Sequence, residues 1–248
     1  MAAEGEKGTV RAVERALDIL LCFSGEETEL GLSDIAKRIG LHKSTVHRLL
    51  ASLEGKGFVR RHPTTDKYRL GWSVLELVSN IKQSDDLSTI VRPAMTRLRD
   101  QLGETTSLYV RAGVDRIRIQ AVESTQPVRR VANIGKRLPL YVGASGKVLL
   151  AYADEPIEEL LEDPSWPKDL NRTEFLQAIQ AVRDQGYAVS IEEREAGAAA
   201  VAAPIFSRSQ QIVAALSVSG PVDRFTPESV ERFAEAVRQS AELISKLV

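Results

Sequence analysis

The side chains best suited to chemistry cluster in one short stretch, KSTVHR at residues 43–48. An arginine can form a bidentate pair with guanine, while lysine, serine and threonine reach phosphate oxygens or base edges. We therefore predict a DNA-binding surface here, with Arg48 as the reader of a base. The predicted contacts are Lys43, Ser44, Thr45, His47 and Arg48.

A second group of cations follows in FVRRHPTTDKYRL at residues 58–70. Two short β-prone runs flank a Pro-Thr-Thr-Asp turn, a pattern that predicts a hairpin. A hairpin of this kind beside a DNA-reading helix is a wing, and its cations are expected to hold phosphates. They are Arg60, Arg61, Lys67 and Arg69, with Arg11 and Arg15 as weaker phosphate candidates.

The charge of the chain is unevenly distributed. Between Gly31 and Leu70 nine basic residues face three acidic ones, although the whole chain carries a net charge of −1. This imbalance favours a polyanion partner for that segment alone. The alternative is that Lys43 and Arg48 only solvate an exposed helix face, which remains open at this point.

Three helices are predicted to position these cations. The spacing of Val10, Val13, Leu17 and Leu20 predicts a first helix with one apolar face. A second, short helix is predicted in ELGLSDIAKRIG, with Ser33 as its cap and Gly40 as its end. The third covers roughly 43–54, with its buried stripe at Val46, Leu49, Leu50 and Leu53 and its polar side chains opposite. Together with the hairpin, they predict a winged helix-turn-helix over residues 10–70.

The remainder of the chain is predicted to be one α+β domain. Residues 71–83 read as a linking helix, and strands alternate with helices over 84–248, including a strand at 128–134. Residues 1–9 are expected to be disordered. No apolar run reaches the ~20 residues needed to cross a bilayer, and the N-terminus shows no signal-peptide pattern, so we expect a cytoplasmic protein.

Catalytic chemistry has little support. Cys22 is the only cysteine, and residues 71–248 contain no histidine, so a nucleophile–histidine arrangement is excluded there. Glu192, Glu193 and Glu195 could supply a carboxylate pair, and an acid/base enzyme remains the alternative. The GASGK segment lacks the first glycine and the hydroxyl residue of a phosphate-binding loop. We expect no enzyme activity, no cofactor and no metal.

The DNA-binding stretch LSDIAKRIGLHKSTVHRLLASLEGKGFVRRHPTTDKYRLG resembles that of the IclR family of bacterial transcription regulators. The segments GKRLPLYVGASGKVLLA, GYAVSIEEREAGAAAVAAPIF and IVAALSVSGP resemble its sensor domain, in the same order. The resemblance covers roughly residues 8–247. It implies a GAF-like effector domain with an antiparallel sheet flanked by helices, and homodimers, often paired into tetramers, on palindromic operators.

The resemblance also implies a pocket for a small organic acid or an aromatic carboxylate. Its predicted lining is Leu138, Ala144, Ser190, Ala200, Ser217 and Ser219. The residues themselves support part of this: a helix start at Gly143–Gly146 attracts a carboxylate, and Ser217 and Ser219 share one strand face. Alternatively, this domain binds no ligand and mediates assembly through the small residues Ala198–Ala203. Operator, effector and the sign of regulation are not encoded in these patterns.

Overall fold

The computed structural model describes residues 9–25, 27–84, 86–131 and 133–248. The predicted disorder of residues 1–9 lies outside the described residues except at Thr9. The chain forms two compact units, which divide between the fourth and fifth helices, and each is described by itself. No helix in the described ranges is long and apolar enough to cross a membrane.

The first unit is a helix-turn-helix followed by a small wing. It consists, in order, of α1 (Arg11–Leu21), α2 (Leu32–Arg38), α3 (Lys43–Gly55), β1 (Val59–Arg61), β2 (Tyr68–Leu70) and α4 (Trp72–Ser84). The turn between α2 and α3 contains Gly40 at φ 65°, a left-handed conformation that glycine adopts without steric cost. The predicted helices and hairpin are confirmed, but the predicted cap of α2 is wrong: the helix begins at Leu32 after Gly31, so Ser33 lies in its first turn.

The core of this unit joins α1, α2, α3 and the wing. Val46 and Leu50 of α3 are fully buried, with Leu49 and Leu53 beside them, so the predicted stripe is confirmed. Helix α1 differs from the simplest interpretation of its pattern. It buries Ile19, whereas Val13 and Leu17 on the opposite side are exposed.

The second unit is a six-stranded antiparallel sheet with helices on both faces. Its elements are α5 (Asp86–Leu102), β3 (Thr105–Ala112), β4 (Asp115–Val122), β5 (Arg137–Pro139), α6 (Ala144–Ala151), α7 (Ile157–Leu160), α8 (Arg172–Gln185), β6 (Ala188–Ile191), β7 (Ala198–Phe206), β8 (Ile212–Pro221) and α9 (Pro227–Ser245). The strand order is β5-β4-β3-β8-β7-β6. The predicted α+β class is confirmed.

Alternating side chains divide between the two faces of the sheet. Leu108, Leu216 and Val218 pack with α5 and α9 on one face. Tyr109 and Ala215 pack on the other face with α6 and α8. Because neighbouring residues of a strand point in opposite directions, each strand contributes side chains to the layers on both faces of the sheet.

The predicted strand at 128–134 is wrong for the described residues of that range, which carry no strand. The β-prone side chains Val128, Val131 and Ile134 are three residues apart and exposed. That spacing does not place them on one face of a strand, since strand side chains alternate with a period of two. The described residues of this segment form a loop, and the short strand β5 follows.

Candidate functional site

The polar side of α3 is the first candidate site. Lys43, Ser44, His47 and Arg48 are exposed, and Thr45 is half-buried at the border of the apolar stripe. His42 precedes the helix, and its Nδ1 accepts from the Ser44 amide at 3.3 Å and lies 2.7 Å from the Ser44 hydroxyl. The Ser44 hydroxyl therefore already has a partner at the helix start.

The wing divides its four cations into two kinds. Arg60 and Arg69 lie directly opposite each other in the β1–β2 pairing, and both are half-buried. The Arg60 guanidinium lies 4.7 Å from the centroid of the Trp72 ring, and Arg69 pairs with Glu29 at 3.8 Å. By contrast, Arg61 and Lys67 are exposed, although Arg61 is 3.3 Å from Asp66. Lys67 lies in the turn, just before β2.

A cavity between the sheet and the start of α6 is the second candidate site. Its volume is about 50 Å³. All six residues that the resemblance implied line it: Leu138, Ala144, Ser190, Ala200, Ser217 and Ser219. The structure thus brings together residues from β5, α6, β6, β7 and β8.

Strand register explains this convergence. Ser190, Ala200 and Ser219 are successive partners across β6, β7 and β8, so their side chains stand in one row. Ser217 lies two residues earlier on β8 and shares the face. Leu138 is the partner of Arg116 on β4 and therefore faces the same side.

Sequence reasoning missed five lining residues with the strongest chemistry: Tyr109, Arg116, Arg118, Arg130 and Arg194. The alternation in DRIRIQ was the available signal, because Arg116 and Arg118 share one strand face while Ile117 and Ile119 share the other. Nothing in that pattern tells which face points inward. The sheet buries the arginines: Arg116 is 2% exposed and Arg118 is 6% exposed.

Tyr109 organises the buried arginines. Its hydroxyl accepts from Arg118 Nε at 3.0 Å, and its ring centroid lies 5.6 Å from the Arg116 guanidinium carbon. Arg116 donates through Nη1 to the Pro139 carbonyl, while its Nε is buried without a partner among the described residues. Burial lowers the pKa of Arg116 to about 10, because an ionised group loses its hydration inside the protein.

The predicted acidic run has structural partners. Glu193 accepts from the Gly143 amide at 3.1 Å and pairs with Lys147. Glu192 accepts from the Gly197 amide at 2.6 Å, which closes the loop between β6 and β7. Glu195 pairs with Arg130 at 2.8 Å and with Arg194 at 3.5 Å. Each carboxylate thus has a local ion-pairing or hydrogen-bonding role.

The small-residue stretch Ala198–Ala203 forms most of β7. Ala199, Ala202 and Ala203 are buried within the unit, and Ala198 and Ala200 line the cavity. This placement supports a cavity wall over the alternative of an assembly surface.

The fold and sites define a class of protein: a transcription regulator with a winged helix-turn-helix and an effector-binding domain. Residues 12–63 match the IclR helix-turn-helix domain, and residues 80–246 match the bacterial transcriptional regulator IclR C-terminal domain. The chain belongs to the IclR family of bacterial transcription regulators, which are not enzymes.

Individual relatives are similar to this chain over nearly its whole length. The HTH-type transcriptional regulator XynR of Escherichia coli is 34% identical over 243 residues, 96% of each chain. An IclR transcriptional regulator from Alicyclobacillus acidocaldarius has a TM-score of 0.83 at 28% identity, covering 96% of this chain and 99% of the other. An IclR homolog from Microbacterium hydrocarbonoxydans, solved with 4-hydroxybenzoate, has a TM-score of 0.80 at 27% identity, covering 95% and 98%.

Proposed function

We propose that this regulator reads its operator through the exposed side of α3, with Arg48 on a base edge in the major groove. The observation that carries the proposal is the division of α3 into a buried apolar side and an exposed side with four of the five predicted donors. The major groove admits one helix, and α2 and the wing brace it from behind. Lys43, Ser44, Thr45 and His47 complete the contact set.

The wing and the first helix supply phosphate contacts in this proposal. Arg61 and Lys67 are exposed, and in this proposal a phosphate replaces Asp66 as the partner of Arg61. Arg60 and Arg69 lie opposite each other in the hairpin, and a bound phosphate would reduce the repulsion between their like charges. Arg11 and Arg15 are the outer candidates.

The effector in this proposal is a small organic acid or an aromatic carboxylate in the cavity beside α6. Four lining arginines provide the charge for an acid, and Ser190, Ser217 and Ser219 provide hydroxyls. The Microbacterium homolog, which was solved with 4-hydroxybenzoate, supports an aromatic acid as one class to test. Ala200 leaves that part of the wall small and apolar.

Self-association completes the proposal: a homodimer, and a dimer of dimers, on a palindromic operator. The support on the chain itself is the exposed apolar stripe of α1, formed by Val10, Val13, Leu17 and Leu21. An exposed apolar stripe of this kind is typical of an association surface. Two copies related by a two-fold axis would read two half-sites.

The linking helix, predicted at 71–83 and observed as α4, is proposed to carry the coupling between effector and DNA. An effector can shift DNA affinity only if it binds the two arrangements of the protein unequally. Replacing residues 72–84 with an unrelated rigid helix should abolish the effector response. If the response survived the replacement, this part of the proposal would be wrong.

A mobility-shift assay on the DNA upstream of the gene for this chain tests the regulator proposal. The wild-type protein should bind tightly in the presence of nonspecific competitor, and Arg48→Ala should lose about 1–3 kcal/mol of discrimination. Arg172→Ala, an exposed arginine of the other unit paired with Glu162, is the matched control and should bind normally. If both variants bound like wild type on every operator found, the assignment of α3 as the reader would fail.

A further inference from the structure

The charge of the cavity exceeds what one carboxylate would neutralise. Its lining contains four arginines, and Glu195 is the one acidic residue among the described lining residues. Glu195 is shared between Arg130 and Arg194. A buried cation without a counter-charge is energetically costly, so this cavity is expected to bind an anion.

The four arginines form two sets. The inner set, Arg116 and Arg118, is buried and contacts Tyr109. Among the described residues, no carboxylate forms an ion pair with either arginine. The neighbouring Asp115 pairs with Arg137 instead, at 3.5 Å. The outer set, Arg130 and Arg194, has one carboxylate between two cations.

The two sets start from different segments: the inner one from β4, and the outer one from the residues before β5 and between β6 and β7. Arg116 is the partner of Arg111 near the end of β3, whereas the Arg130 carbonyl accepts from the hydroxyl of Thr105 at the beginning of β3. Six residues of a strand span roughly 20 Å along the backbone, but all four arginine side chains reach the same cavity, so their charged groups are closer together than these anchor points. Four cations face one carboxylate in this lining, so a ligand with two acid groups balances the charge better than a ligand with one.

Resting on the proposed effector-binding function, we infer that the effector is a small dicarboxylate. One carboxylate binds the inner set beside the first turn of α6, where Ala144 and Ser145 line the cavity and the amides of a helix start lack intrahelical partners. The other carboxylate binds the outer set. The guanidinium fork matches a carboxylate in a bidentate manner at both positions.

Isothermal titration calorimetry on the full chain at constant ionic strength tests this inference. The probes are pairs of equal size, glutarate with pentanoate and phthalate with benzoate, together with inorganic phosphate and glycerol 3-phosphate. We expect the better dicarboxylate to bind at least tenfold more tightly than its monocarboxylate partner and than either phosphate compound. Equal affinity for the dicarboxylate and the monocarboxylate in both pairs would overturn the inference, but it would not contradict the proposed effector site.

Tighter binding of a phosphate compound would also overturn it, by making the arginines a phosphate site. If none of the six probes bound at millimolar concentration, both the inference and the proposed effector site would fail. The DNA-reading proposal is judged separately by the mobility shift, so the two failures remain distinguishable.

A substitution in the outer set distinguishes the roles of the two arginine sets in binding. Arg194 is partly exposed, so Arg194→Gln should fold, as its unchanged thermal midpoint without ligand would show. It should weaken the dicarboxylate to within about threefold of the monocarboxylate and leave the monocarboxylate unchanged. Arg129→Gln, next to Arg130 but outside the lining and paired with Glu123, is the matched control. An equal loss for both acids in Arg194→Gln would contradict the two-ended arrangement.

Discussion

The guanidinium of Arg116 occupies the space where a side chain at Gly146 would stand. A Cβ atom at position 146 would lie 2.7 Å from Arg116 Nη1 and 2.2 Å from the Leu140 carbonyl oxygen. The close approach lets a buried cation lie against the first turn of α6. It therefore ties the packing of this helix to the charge of the cavity.

Gly146→Ala should destabilise the protein by about 1–3 kcal/mol, because the backbone at Leu140 cannot yield to the added methyl group without moving α6. Chemical denaturation followed by circular dichroism measures the effect. Gly55→Ala is the matched control, since position 55 is helical with no neighbour within 4 Å, and it should be neutral or slightly stabilising. Equal effects of the two substitutions would refute the steric explanation.

Lys67→Ala should weaken DNA binding by a similar factor on every sequence. Loss of one phosphate contact should also reduce the slope of log affinity against log salt by about 0.9. Fluorescence anisotropy at several salt concentrations measures this slope. Lys168→Ala, an exposed lysine of the other unit, should leave it unchanged. An unaltered slope in Lys67→Ala would remove this residue from the phosphate contacts.

Arg224→Ala should cost about 3 kcal/mol of stability, because it leaves a buried carboxylate without its ion-pair partner. Glu104 is 1% exposed and accepts from both Nε and Nη2 of Arg224, the latter at 2.9 Å. The comparison is Arg238→Ala, whose partner Glu235 is exposed at the surface, and this substitution should cost much less stability than Arg224→Ala. Thermal or denaturant unfolding measures both, and similar costs would contradict the distinction.

Leu17→Glu should weaken self-association without unfolding the first unit, because Leu17 is 53% exposed. A charge placed in an apolar contact between copies would have to be desolvated. Sedimentation velocity over a concentration series should show smaller species, with an unchanged thermal midpoint. Ala12→Glu, exposed on another side of α1, is the control. If Leu17→Glu sedimented like wild type, α1 would not be an association surface.

Part of the DNA-reading unit follows from sequence alone. The stripe at Val46, Leu49, Leu50 and Leu53 repeats at the helical period, so the donors of α3 had to lie on the other side. Alternation along β8 likewise placed Ser217 and Ser219 on one face. These predictions hold because they depend only on the local geometry of a helix or strand.

The tertiary structure decided which of two possible faces is buried. The stripe of α1 is apolar, yet the fold buries Ile19 on the other side. In DRIRIQ the sheet turns both arginines into the cavity, although either face could have been the inner one by its pattern. Local periodicity fixes which side chains share a face, but only the elements packed against that face determine its burial. The convergence of Arg116, Arg118, Arg130 and Arg194 therefore required contacts between distant segments, which no single stretch of sequence contains.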